Sequence, residues 1–189
     1  MITRRSGISL EFPNKGIGVF QSKDSITIWE ELLSGCGFVR RPPFHRDPLF
    51  VMALFAGVVF WLLLWSLVPV NPLPWTLVWS FPFLSVVLWQ PLLEELLFRG
   101  FLHGQLLRAS WGRRTTGGIT SANGITSLLF MFGHWYGHSL VWTISVIVPS
   151  LLFGFMQDRF QSTDPAIALH MFYHAGYFLL IGGSSLALS

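Results

Sequence analysis

The chain has 189 residues, of which 52% are hydrophobic and only 11% charged, and its mean hydropathy is +0.56. That balance excludes an ordinary soluble domain and points to an integral, multi-pass membrane protein. The net charge of +3 is no sign of nucleic-acid binding, because no motif-bearing or aromatic-interleaved basic segment accompanies it.

The first 47 residues are mixed and polar and lack the compact apolar core of a cleavable signal peptide. They read as a cytoplasmic N-terminal segment, 1–47, with a short interfacial helix at 26–38. Apolar runs follow at 49–70, 75–97, 124–135, 140–156 and 166–181, each bounded by Pro, Gly or charge. The expected fold is therefore all-α: a polytopic transmembrane helix bundle of about five spans within 48–189, the third being the shortest.

The positive charges give an independent count. With the N-terminus cytoplasmic, 11 of the 12 Lys and Arg fall in segments 1–47, 108–118 and 158–164, and the twelfth, Arg99, lies within the membrane. The external turns at 70–74 and 136–139 carry none, as the positive-inside rule requires for five spans. Cys36 is the single cysteine, so an internal disulfide is excluded, and this topology places it in the reducing compartment.

A straight helix over 75–107 would run roughly 50 Å, against a hydrocarbon core of about 30 Å, so this stretch must tilt, protrude or break. Pro91 has no N–H for the carbonyl of Val87, which predicts a kink there. Just beyond it, Glu94, Glu95 and Arg99 lie in an otherwise apolar stretch. Ionisable groups at bilayer depth cost several kcal/mol and are functional candidates by default. Glu95 and Arg99 stand at i and i+4 with the acid N-terminal, the favoured orientation for an ion pair. Glu94 lies about 100° round the helix and is left to point elsewhere.

The later spans add imidazoles. Phe130 and His134 are four apart, as are His170 and His174, so each pair shares one helix face. Two imidazoles on one face of an apolar helix need partners from protein or trapped water. A single histidine more often only packs, which is the reading for His103 near a helix end and His138 at a turn. His45 precedes the first span and carries no signal. The abundant Phe and Trp residues read as core, lipid-facing and interface-belt residues.

Glu94-Glu95-Leu-Leu-Phe-Arg99-Gly100 resembles the EExxxR motif of the CAAX-protease and bacteriocin-processing family of glutamic-type intramembrane proteases. Phe130-Met-Phe-Gly-His134 resembles its FxxxH motif, and His170-Met-Phe-Tyr-His174 occupies the place of its HxxxN motif. The three occur in the family's order, over about residues 80–181. His174 departs from the usual Asn.

The resemblance implies an intramembrane endopeptidase in which Glu94 and His134 activate water while His170 and His174 stabilise the oxyanion. Arg99 is then structural, neutralising Glu95, and Phe130 supports the site. No cofactor is implied. The implied partners are the lipid bilayer and a membrane protein or peptide, cut in or near a membrane segment, with C-terminal processing the expected kind; the compact size resembles members of a bacterial inner (cell) membrane. Two other classes stay open on the residues. A zinc-dependent membrane peptidase would use the ligand-like His pair, although the Glu of H-E-x-x-H is missing. A non-enzymatic immunity or binding protein is the other, since the family is also associated with bacteriocin self-immunity.

Overall fold

Pro48 opens the first helix in the computed structural model, which describes residues 43–67, 69–136 and 139–182. The expected interfacial helix at 26–38 lies outside the described residues. Helix α1, Pro48–Leu67, has proline at its first position, where the missing N–H costs nothing. Asp47 just before it accepts the Leu49 N–H at 2.9 Å, a side-chain cap. Its buried residues are Phe50, Ala53, Gly57 and Trp61, spaced three or four apart, so a single stripe faces protein. The remaining apolar surface, including Met52, Phe55 and Leu62, is exposed and suited to lipid.

The stretch 75–107 breaks rather than runs straight. A single 3-10 turn, Trp75–Leu77, is followed by helix α2, Phe81–Arg108, whose start is capped by Ser80 accepting the Phe83 N–H. Within α2 the hydrogen-bond ladder shifts to the wider π register at Ser85–Trp89, where the Gln90 N–H reaches back to the Ser85 carbonyl. That widening sits immediately before Pro91, which has no N–H to continue an α ladder. A second π segment, Leu96–His103, carries Arg99 and His103. π turns gather at functional sites because they re-aim side chains.

A two-residue hairpin, β1 Thr115–Thr116 with β2 Ile119–Thr120, turns through Gly117 and Gly118, both at positive φ. It leads to helix α3, Ser121–Gly133, whose N-cap Thr120 accepts the Asn123 N–H. Helix α4 spans Leu140–Phe160 and helix α5 spans Asp164–Gly182.

Four of these helices, α1, α2, α4 and α5, are long and apolar enough to cross a bilayer. With 13 residues α3 spans only about 20 Å, short of a hydrocarbon core of about 30 Å. It nevertheless runs from one end of the bundle to the other. Arg159 at the end of α4 donates to Asp47 at the start of α1 at 2.7 Å. Between those two residues the chain must traverse an even number of times, and only with α3 does the count reach four. Thr120, before α3, donates to Asp158 at the same end, while the His134 carbonyl, after α3, accepts from Thr143 near the start of α4. Asn71 and Leu73 donate to the Ile181 and Leu179 carbonyls at that opposite end. Among the described residues the bundle is thus four long helices and one short one running up and down. Arg46, Arg108, Arg113, Arg114 and Arg159 share the end that the positive-inside rule assigns to the cytoplasm.

Close approach of small residues holds the helices together, as expected where lipid removes the hydrophobic drive to associate. Gly154 of α4 lies so close to the Asn123 side chain of α3 that an added Cβ would collide with it. Asn123 uses that proximity to donate to the Leu151 carbonyl at 3.0 Å. On the other side, Gly57 of α1 faces the Tyr173 ring of α5, whose hydroxyl donates to the Ala53 carbonyl at 2.8 Å. The main apolar core joins α1, α4 and α5 through Phe50, Ala53, Phe153, Met156, Ala166 and Leu169.

Candidate active site

Helix α2 brings Glu95 and Arg99 onto a face with no solvent exposure at either residue. Arg99 Nη1 donates to Glu95 Oε1 at 3.1 Å. Its other terminal nitrogen, Nη2, donates to the Ser150 carbonyl at 2.9 Å and to the Ser150 hydroxyl at 2.6 Å. The guanidinium also lies 4.7 Å from the Phe130 ring centroid and 5.5 Å from that of Phe153. A buried charge is tolerated only when it is paired and hydrogen-bonded, and here α2, α3 and α4 all contribute.

Helix α5 supplies the imidazoles. His170 is buried, with Nδ1 2.8 Å from Glu95 Oε1 and its ring stacked on Phe153 at 5.0 Å. Its Nε2 lies 3.1 Å from His174 Nε2 and 3.7 Å from Glu94 Oε2. His174 Nδ1 donates to the Val86 carbonyl at 2.7 Å, in the π turn of α2. The widened turn thus places a carbonyl where the second imidazole needs an acceptor.

Glu94 points differently from Glu95. Its Oε1 accepts from Gln90 Nε2 at 2.9 Å, while its Oε2 is buried without a hydrogen-bond partner and faces His170. Four residues separate Gln90 from Glu94, so this contact was legible as an i, i+4 pair, although sequence reasoning passed over it. Ser150 was also missed. A serine after Pro149 in an apolar run gives no hint that a guanidinium from 51 residues upstream will meet it.

His134 caps the C-terminal end of α3, with Nδ1 donating to the Phe130 carbonyl at 2.9 Å. Its ring centroid is 4.5 Å from that of Phe130, which is itself 6.0 Å from that of His170 and beneath Arg99. The Phe130 ring is therefore the hub between α2, α3 and α5. Glu94, Glu95, Arg99, His170 and His174 meet directly, and His134 joins them across Phe130. His103 stands apart, fully buried towards the cytoplasmic end, with Nε2 2.9 Å from Asp158 Oδ1. His45 is exposed before α1, and His138 lies outside the described residues.

Among the described residues no three His, Cys, Asp or Glu side chains are grouped as ligands for one metal ion. Paired carboxylates and imidazoles inside a polytopic helical bundle suit acid–base chemistry on a membrane-associated substrate. Residues 74–176, more than half of the chain, match the family model described as type II CAAX prenyl endopeptidase Rce1-like. The chain belongs to this family of CAAX-type intramembrane endopeptidases, which act on membrane-associated proteins within the bilayer. No curated protein and no solved structure matches it.

Proposed function

We propose that the protein is a glutamic-type endopeptidase in which Glu94 is the general base and acid. The observation that carries this reading is the buried, unpartnered Glu94 Oε2, 3.7 Å from His170 Nε2, on a carboxylate whose other oxygen is held by Gln90. Water between Glu94 and His134 gives a proton to Glu94 as its oxygen bonds to the scissile carbonyl carbon. The carbonyl π pair moves to oxygen, and the resulting oxyanion is stabilised on the His170 and His174 side of the site. In a dry site, donors fixed before reaction are worth far more than in water. Collapse breaks the C–N bond, and Glu94 returns the proton to the departing amine. Arg99 and Glu95 position the histidines and take no proton.

The substrate is a protein or peptide cut near the C-terminal end of a membrane segment, and the enzyme resides in a bacterial inner membrane. Comparing membrane proteins from cells carrying the wild type and Glu94→Gln tests this. One or more substrates should accumulate with an uncleaved C-terminal segment in the variant. Identical termini in both would favour the non-enzymatic immunity or binding reading.

A further inference from the structure

His170 and His174 make three hydrogen-bonding contacts through their four ring nitrogens, and two of the three partners fix where hydrogens must be. The Val86 carbonyl only accepts, so His174 Nδ1 carries a hydrogen. Glu95 Oε1 already accepts from Arg99 Nη1, which keeps it an ionised acceptor, so His170 Nδ1 carries a hydrogen too. The third contact, Nε2 to Nε2 at 3.1 Å, is a hydrogen bond only if one of those nitrogens is also protonated. Two rings with three hydrogens between them carry one positive charge.

The surroundings place that charge. His170 is flanked by both carboxylates, at 2.8 Å from Glu95 and 3.7 Å from Glu94, whereas His174 faces a neutral carbonyl. The other ionisable groups nearby are Arg99, already bound to Glu95 and Ser150, His134 beyond the Phe130 ring, and Tyr173, whose hydroxyl is turned to Ala53. With His170 charged, Glu94, Glu95, Arg99 and His170 sum to zero. With both rings neutral, the group would bury an uncompensated negative charge, which a low-dielectric interior disfavours.

We infer that His170 is an imidazolium in the resting protein, its Nε2–H donated to an unprotonated Nε2 of His174. His174 is then a positioning residue and not an oxyanion donor: it accepts from the His170 Nε2–H until a developing oxyanion accepts that hydrogen bond in its place, the proton staying on His170. This deepens the role proposed above for the third motif, and its catalytic meaning rests on that reading, but the proton count does not. It would also let a histidine stand where an asparagine is usual, since each side chain offers a donor group to a carbonyl and an acceptor atom to His170.

The test reads protons and not turnover. In the full-length protein in detergent micelles, labelled with ¹⁵N-histidine and held at about pH 7.5, a freely titrating imidazole is roughly nine-tenths neutral. One buried ring should show both nitrogens protonated, with its Nε2 hydrogen also coupled to the Nε2 of a second, neutral ring protonated at Nδ1. His174→Gln should remove that coupling and the neutral partner's signals, and His103→Gln should leave the pair untouched. The wild-type spectrum decides even if a variant fails to fold. Two neutral rings, with His170 unprotonated at Nδ1, would put the third proton on Glu95 and overturn the proposal. So would a His174 ring protonated at Nε2. A protein that cleaves nothing but gives the expected spectrum would sink the peptidase reading and leave the proton pair standing.

Discussion

Arg99 and Ser150 are joined twice, through the serine carbonyl and the serine hydroxyl, on a guanidinium with no solvent exposure. The hydroxyl contact is a bond to a charged group, worth about 1.5 to 3 kcal/mol when removed from a buried site. Ser150→Ala should therefore lower the thermal midpoint of the detergent-solubilised protein, and Ser150→Thr should recover part of it. An unchanged midpoint for the alanine variant would mean that the carbonyl and Glu95 alone hold Arg99.

The two glutamates should separate cleanly. Glu94→Gln keeps size and the Gln90 contact, so the protein should fold normally yet lose turnover. Glu95→Gln leaves Arg99 and His170 without their shared carboxylate, and breaking a buried charge pair costs about 3 to 5 kcal/mol. Midpoints and turnover measured side by side decide, and near-normal turnover in purified Glu94→Gln would remove Glu94 as the base.

Acid should loosen the cytoplasmic end first. Arg159 donates to Asp47 and, with the Leu49 N–H, holds this carboxyl below its ordinary value of 3.8 despite an opposing effect of burial. A carboxylate depressed in the folded state contributes stability that is complete above the unfolded value and is lost as pH falls through the folded one. Stability should therefore drop below about pH 4 more steeply in the wild type than in Asp47→Asn. High salt should shrink the difference, because the pair is partly exposed. Parallel curves would show that the pair only marks where α1 and α4 meet.

Metal removal separates the proposed mechanism from a zinc peptidase. A preparation stripped by chelator and checked by elemental analysis should retain its turnover if Glu94 and His134 activate water directly. Activity that returns only with added zinc would assign the His pair to a metal instead.

Local arithmetic reached a good deal of this. The hydropathy runs and the one-sided distribution of Lys and Arg need only counting, because hydrocarbon forces every span to be a closed, apolar helix. Glu95 with Arg99 is an i, i+4 relationship fixed by helix geometry, and so was the overlooked Gln90 with Glu94. The helix boundaries near 75–80 were less legible, since Trp75 and Leu77 are as apolar as the helix that starts at Phe81, and only the Ser80 cap with Pro82 marks the true start.

By itself the sequence determined the solvent, the class of fold and the residues able to do chemistry, all of which follow from composition and short-range spacing. The tertiary structure alone decided which of those residues meet. His170 reaches Glu95 across 75 positions, Ser150 reaches Arg99 across 51, and Asp47 reaches Arg159 across 112. Side-chain periodicity says which face a residue occupies on its own helix and nothing about which helix will face it. That choice is made by close contacts such as Gly154 on Asn123 and Gly57 on Tyr173, which set the approach of whole helices. The Val86 carbonyl that fixes the His174 tautomer depends in turn on a π turn before Pro91, a backbone adjustment that side-chain pattern does not encode.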